Sequence, residues 1–161
     1  MKKIIIAIDS FKGCLTSAEA GKAAEKGIKS INPSCHTSVI PIADGGEGLL
    51  DVLITATKGK YITLSAHGPL MKMAKTHYGL SGNGRTAIIE MAAISGLPLV
   101  PIEQRNPMLT TTFGTGELIK DALNKGCRNF IIGIGGSATN DAGLGMLQAL
   151  GFRFLDKSGI P

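Results

Sequence analysis

Residues 130–150, FIIGIGGSATNDAGLGMLQAL, decide how the rest of the chain is read. The run 130–134 is short and apolar, as in a strand buried on both faces. Gly135 and Gly136 break it, and Ser137, Thr139 and Asn140 are candidate caps. The spacing of Leu144, Leu147, Gln148 and Leu150 predicts a helix after them. A strand, a glycine turn and a helix start gather unpaired backbone N–H groups at one point, where the helix dipole adds partial positive charge. With no Cβ at 135 and 136, an anion such as phosphate can approach the main chain.

The loop is not a Walker A loop, because no Lys-Ser/Thr follows its glycines. In letters it fits the dinucleotide pattern G-x-G-x-x-A through Gly133, Gly135 and Ala138, with Asp156 about where a ribose-binding acid would stand. Asn140 and Asp141 then fall where such a helix presses on pyrophosphate. A carboxylate there repels bare phosphate unless a cation lies between them, and Mg²⁺ takes oxygen ligands of this kind. The plain alternative is that Asp141 only complements the helix dipole. The reading adopted is a phosphate site with metal.

The 161 residues are enough for one domain with a substantial core. A hydrophobic fraction of 43% with 18% charged residues is globular, and the 22 glycines do not form a low-complexity tract. The net charge of +5 is dispersed and only seven aromatics are present, which argues against nucleic acid. Cys14, Cys35 and Cys127 lack CxxC spacing, so neither a disulfide framework nor zinc is expected, and a reducing cytoplasm fits. Lys2 and Lys3 precede too few apolar residues for a signal peptide, and no run approaches the length of a transmembrane helix. The turn-like Asp-Lys-Ser-Gly before Ile160 and Pro161 reads as a cut rather than a closing element.

In order, 3–8 reads as a buried strand, and Thr16 with Glu19 as a capping box for a helix ending at Asn32-Pro33. A strand over 37–42, the turn Asp44-Gly45-Gly46-Glu47-Gly48 and a helix to Gly59 follow, an alternation that implies parallel pairing. Runs at 61–65, 73–80 and 85–91, separated by Gly68-Pro69 and Gly82-Asn83-Gly84, indicate an antiparallel meander. A helix over 117–124 precedes the opening stretch, and 152–155 reads as a last strand. The fold class is α/β: a Rossmann-like, mostly parallel sheet flanked by helices over 1–58 and 96–161. The meander, 59–95, is either an added edge of that sheet or part of a second domain, the latter preferred.

Ligands of an open parallel sheet bind outside the carboxyl ends of its strands. Asp9, Asp44 with Glu47, and Glu90 each follow a strand, and Gly135, Ser137, Asn140 and Asp141 follow another. If the strands are parallel neighbours, the first and last groups share one crevice, where acids can hold Mg²⁺ or take a proton from a hydroxyl. For any one of them, a turn or cap is the plain alternative. Lys12 and Arg105 are loop cations suited to a carboxylate or phosphate, or are surface charges. Thr110, Thr111, Thr112 and Thr115 offer hydroxyls at a helix start, for phosphate or for capping. The three histidines show no ligand spacing.

The blocks 9–13 (DSFKG), 43–48 (ADGGEG), 90–92 (EMA), 105–107 (RNP), 110–118 and 133–141, in this order and spacing, resemble the signature blocks of the bacterial glycerate kinase family. The resemblance spans the chain and implies phosphoryl transfer from ATP, with Mg²⁺, to D-glycerate, giving 2-phosphoglycerate or 3-phosphoglycerate, in a cytoplasmic enzyme of two α/β domains. It implies that Gly135, Gly136, Ser137, Thr139, Asn140, Thr112 and Thr115 hold the nucleotide, and that Asp44 or Asp141 positions Mg²⁺ or acts as base. Lys12 and Arg105 would neutralise the glycerate carboxylate or the moving phosphoryl group, and Asp9, Ser10 and Glu47 would hold glycerate with them. Family members are more than twice this length, so the chain corresponds to their N-terminal part, and Ala142 replaces a frequent glycine. An oxidoreductase using the dinucleotide pattern, and an inactive piece acting in folding or assembly, are the alternatives; a homo-oligomer is compatible with all three.

Overall fold

The computed structural model describes residues 3–159. Lys2, Ile160 and Pro161, on which the readings of a signal start and of a cut partly rest, lie outside the described residues. Strand β1 (Lys3–Ile6) leads to helix α1 (Ser17–Ile31) and then to β2 (His36–Val39), which pairs with β1 in parallel, Lys3 opposite His36. The capping box is present: the Glu19 N–H donates to Thr16 Oγ1 at 3.2 Å and the Thr16 N–H to Glu19 Oε2 at 2.8 Å. The Thr16 N–H, together with the Thr16 hydroxyl, which also donates to Glu19 Oε2 at 2.8 Å, holds the Glu19 carboxyl below its ordinary value. Gly21 lets α1 lie flat on β2, since a Cβ there would stand 2.4 Å from Val39 Cγ1.

Helix α2 (Leu49–Thr57) follows, then β3 (Lys60–His67), β4 (Met73–Leu80) and β5 (Thr86–Glu90), paired antiparallel in that order. A short α3 (Ala92–Ser95) and two 3-10 turns lead to α4 (Phe113–Asn124), β6 (Asn129–Gly133) and α5 (Leu144–Ala149). β6 pairs in parallel with β5, Ile88 opposite Ile131 and Glu90 opposite Gly133. β5 is the strand buried on both faces. Ile89 packs in a core with Tyr78, Ile94, Leu118 and Cys127, and Ile88, one residue earlier, meets Leu50 and Ile54 of α2. Tyr78 is fully buried and donates to Asp121 Oδ2 at 2.8 Å; burial first, then that bond, pushes its phenol far up. Lys125 reaches both Asp121 oxygens at 2.6 and 2.7 Å.

The fold is α/β, with parallel pairing flanked by helices and an antiparallel region. Its strands are shared out differently from the expectation. β1 and β2 form a sheet of two, and the meander shares a four-stranded sheet, order β3-β4-β5-β6, with the strand of the opening stretch. Backbone pairing therefore crosses the expected division between 59–95 and 96–161. The expected strand over 130–134 pairs with β5 but is not buried on both faces: Ile131, Ile132 and Ile134 are exposed. An apolar run records neither which strand lies beside it nor whether both its faces are covered. Helix α4 starts four residues earlier than expected, at Phe113, and no strand forms over 152–155. Phe152, Phe154 and Leu155 are exposed there, with no described strand beside them.

Candidate functional site

Two glycine turns meet main chain to main chain. After β2 the chain reverses at Asp44, whose Oδ1 accepts the Gly46 N–H at 2.9 Å in an Asx turn. The turn after β6 lies directly against it: the Gly135 N–H points to Gly45 O at 3.4 Å. A Cβ on Gly135 would stand 2.7 Å from Gly46 Cα, and one on Gly133 would stand 2.5 Å from Gly45 O. These glycines are required by close approach. On the other side of the same turn, the Leu97 N–H donates to Gly136 O and the Ala138 N–H to Ser95 O, each at 2.9 Å. The N–H groups of Gly136 and Ser137 have no partner among the described residues.

Glu90, the last residue of β5, enters this seam from below. Its Oε2 accepts the Leu50 N–H at 3.3 Å in the first turn of α2, a helix whose N-cap, Gly48, has no side chain to offer. Burial pushes the Glu90 carboxyl up; the Leu50 and Gly48 amides oppose this, and Asp51 and Glu47 add to it. Apart from its place in the 90–92 block, the sequence signal for Glu90 is an acid at a strand end, which is common in any α/β protein.

Asp141 does something else. Its Oδ2 accepts the Thr112 N–H and Thr112 hydroxyl, both at 2.8 Å, the Gly145 N–H at 3.2 Å and the Thr111 hydroxyl at 3.4 Å; Oδ1 accepts the Gly143 N–H at 3.0 Å. Burial alone would raise this carboxyl, but the Thr112, Gly143 and Gly145 bonds together outweigh it and hold it below its ordinary value. Thr112 Oγ1 also accepts the Met146 N–H at 3.0 Å. α5 begins at Leu144, seven residues beyond Ser137, so its first donors are met by the chain's own carboxylate and hydroxyl. The expected strand–glycine–helix anion site is thus corrected: the helix end is not joined to the glycine turn.

Other hydroxyls assigned to a nucleotide are also engaged within the fold. Thr115 is buried and shares a 2.9 Å bond with Ser95. Ser137 Oγ bonds Thr139 O and the Thr139 N–H, both at 3.1 Å, and Thr139 Oγ1 donates to Thr110 O at 2.7 Å. The Asn140 N–H donates to Pro107 O at 3.1 Å, and its side chain is exposed. Gly145, not named by the sequence reading, reaches Asp141 from four residues on. Thr111, there read as a phosphate or capping hydroxyl, is brought to Asp141 across thirty residues by packing that leaves no local signal.

Beside the seam, a cleft of about 370 Å³ is lined by Ser10, Thr16, Glu47, Asp51, Val52 and other residues of 10–19 and α2. Asp9 caps the Ser10 N–H at 2.7 Å. Lys12 is exposed in the turn closed by the Phe11–Leu15 bridge, and Arg105 Nε donates to Val100 O at 3.2 Å. Ser10 and Glu47 therefore share the cleft, and Asp44 shares the seam with Gly135, while Thr112 and Asp141 belong to a separate knot. As a pair for Mg²⁺, Asp44 and Asp141 do not fit. The Asp141 oxygens are occupied by five donors, and the described residues contain no group of three or more His, Cys, Asp or Glu placed to hold a metal. Asp156 lies in the exposed segment after α5 and bonds the Ser158 N–H at 2.8 Å; with no strand before it, the ribose-binding role loses its framework.

Residues 4–161 match the family described as the Glycerate kinase family. The chain is 56% identical over 157 residues to the glycerate kinase of Bacillus subtilis, covering 98% of this chain and 41% of that protein. It is 52% identical over 157 residues to the glycerate 2-kinase of Escherichia coli, covering 98% and 41%. A crystal structure described as "putative glycerate kinase 2" from Salmonella typhimurium LT2 superposes with a TM-score of 0.85 at 50% identity, over 99% of this chain and 42% of that one. The chain thus spans about two fifths of the length of the curated relatives it matches, as their N-terminal part.

Proposed function

This chain belongs to the glycerate kinase family, and we propose on that footing that it carries one side of a site that phosphorylates D-glycerate from ATP. The hydroxyl oxygen of glycerate attacks the γ-phosphorus, the bond to the ADP oxygen breaks in line, and the hydroxyl proton passes to a carboxylate. The product is 2-phosphoglycerate, or 3-phosphoglycerate if the terminal hydroxyl reacts. The setting is the cytoplasm, where the three cysteines stay reduced.

The observation that supports this most is the seam between the two glycine turns, where Gly135 packs on Gly46 of the Asp44 turn and the next two amides, of Gly136 and Ser137, have no partner among the described residues. Gly136 and Ser137 offer main-chain donors to phosphate oxygens, and Gly135, whose own N–H points to Gly45 O, lets their turn lie against Gly46. Asp44, whose other oxygen has no partner among the described residues, is the base in preference to Asp141. Ser10 and Glu47 line the cleft for the glycerate hydroxyls, Asp9 holds the Ser10 N–H beside it, and Lys12 and Arg105 neutralise the glycerate carboxylate or the moving phosphoryl group. Mg²⁺ enters this reading as the counter-ion of the nucleotide, since the described residues hold no group of three or more His, Cys, Asp or Glu placed to hold it.

The ³¹P spectrum of the protein with ATP, Mg²⁺ and D-glycerate is the test. ADP should appear together with a phosphomonoester on carbon 2 or 3. A chain that binds NADH but not ATP in a titration, and leaves glycerate unchanged, would overturn the proposal.

A further inference from the structure

We propose that Glu90 is a positioning residue for this site: it holds the first turn of α2, and with it the turn bearing Asp44 and Glu47, against the carboxyl ends of β5 and β6. The inference rests on the phosphotransfer reading for its purpose, though not for its geometry. Glu90 is fixed at its root by the sheet. It stands opposite Gly133 in register, and the Met91 N–H continues the ladder to Gly133 O at 2.9 Å. Its side chain crosses to α2 and accepts the Leu50 N–H, forty residues away in sequence. A helix start without a cap of its own is thereby capped from the neighbouring sheet.

The seam has no slack at that point. Where Gly133 would carry a Cβ, Gly45 O and Leu49 Cδ2 already stand at 2.5 Å. Leu49 is the first residue of α2 and Gly45 lies in the turn that feeds it, so a displacement of the helix start moves Gly45 and Gly46 away from Gly133 and Gly135. No described cation pairs with Glu90, and the charged groups facing it are Glu47 and Asp51. Burial and those two acids favour the neutral form over the ionised one. A protonated carboxyl keeps a carbonyl oxygen for Leu50, and glutamine reproduces that oxygen without a charge.

The experiment compares wild type, Glu90→Gln and Glu90→Ala by amide exchange at Leu50 and across 45–48, and by phosphotransfer from ATP to glycerate. In Glu90→Ala, protection at Leu50 should fall about five-fold, the equivalent of a lost helix cap. In wild type, protection should decrease as pH rises through the raised Glu90 value, because the ionised form is the disfavoured one when the seam is closed. Glu90→Gln should be independent of pH, at least as protected as wild type at neutral pH, and should keep most of the turnover that Glu90→Ala loses. Leu50 protection unchanged in Glu90→Ala, or Glu90→Gln falling with it, overturns the inference. So does a Glu90→Gln protein with full protection and no turnover, which would make Glu90 a proton-transfer group. If Glu90→Ala does not fold, the pH course of wild type against Glu90→Gln decides. If no glycerate is phosphorylated by wild type, the functional reading fails while the exchange arm still judges Glu90.

Discussion

Asp141 shows how one carboxylate can be read in two ways. By sequence it is an acid in the first turn after a glycine loop, which fits a metal ligand. In the fold, Thr111, Thr112, Gly143 and Gly145 converge on it and bind the start of α4 to the start of α5. Replacing it with alanine strands buried N–H and O–H donors and should cost roughly 2–3 kcal/mol in urea unfolding. The sign with pH follows from the lowered value. In the unfolded chain the carboxyl titrates near its ordinary 3.8, and in the folded one lower still. Its stabilisation is therefore complete above that ordinary value and lost as pH falls through the folded one. The wild-type urea midpoint should drop in this acid range, and Asp141→Asn should lose that part of the slope. An Asp141→Ala midpoint within error of wild type would show that the five bonds contribute nothing. What the sequence could not show was the direction the carboxylate faces, because helix α5 begins later than the cap candidates suggested and its own amides became the nearest donors.

At the scale of elements, the glycines separate close packing from flexibility. Gly133 sits in a strand with 2.5 Å to Gly45 O, whereas Gly27 sits in α1 with nothing within 4 Å of its missing Cβ. Gly133→Ala should destabilise by about 1–3 kcal/mol, because a main-chain oxygen cannot step aside as a flexible side chain can. Gly27→Ala should stabilise by about 0.5–1 kcal/mol, since alanine restricts the unfolded chain in a helix interior. Thermal unfolding of the two variants should move in opposite directions; a loss of equal size in both would mean that the seam is not under steric constraint. The elements themselves were largely legible. The Thr16–Glu19 box, the meander and the strand before Gly135 all lie near where periodicity put them, because each signal is local. Sheet membership was not legible. Ile88 and Ile89 make β5 apolar on both faces, but nothing local says that its second neighbour is β6 rather than β4 alone.

For the whole molecule, what the chain leaves uncovered matters most. β6 is an edge of the four-stranded sheet, and Ile131 and Ile134 of its run are 42% and 73% exposed. β1, in a sheet of only two strands, leaves Ile5 61% exposed. Parallel sheets are ordinarily covered on both faces, and a flat apolar edge recruits another strand. Taken by itself, then, this chain should self-associate through β6. Sedimentation velocity over a range of concentrations should show mass rising from monomer, and Ile131→Lys with Ile134→Lys should shift the distribution back towards monomer. The lysines place charge along the edge and remove apolar area, leaving Phe130 and the core facing α4 in place. Far-UV circular dichroism should match wild type, which separates loss of association from loss of fold. An unchanged mass distribution in the double variant would place the contact elsewhere, with Ile5 and the open edges of the β1–β2 pair next to be substituted.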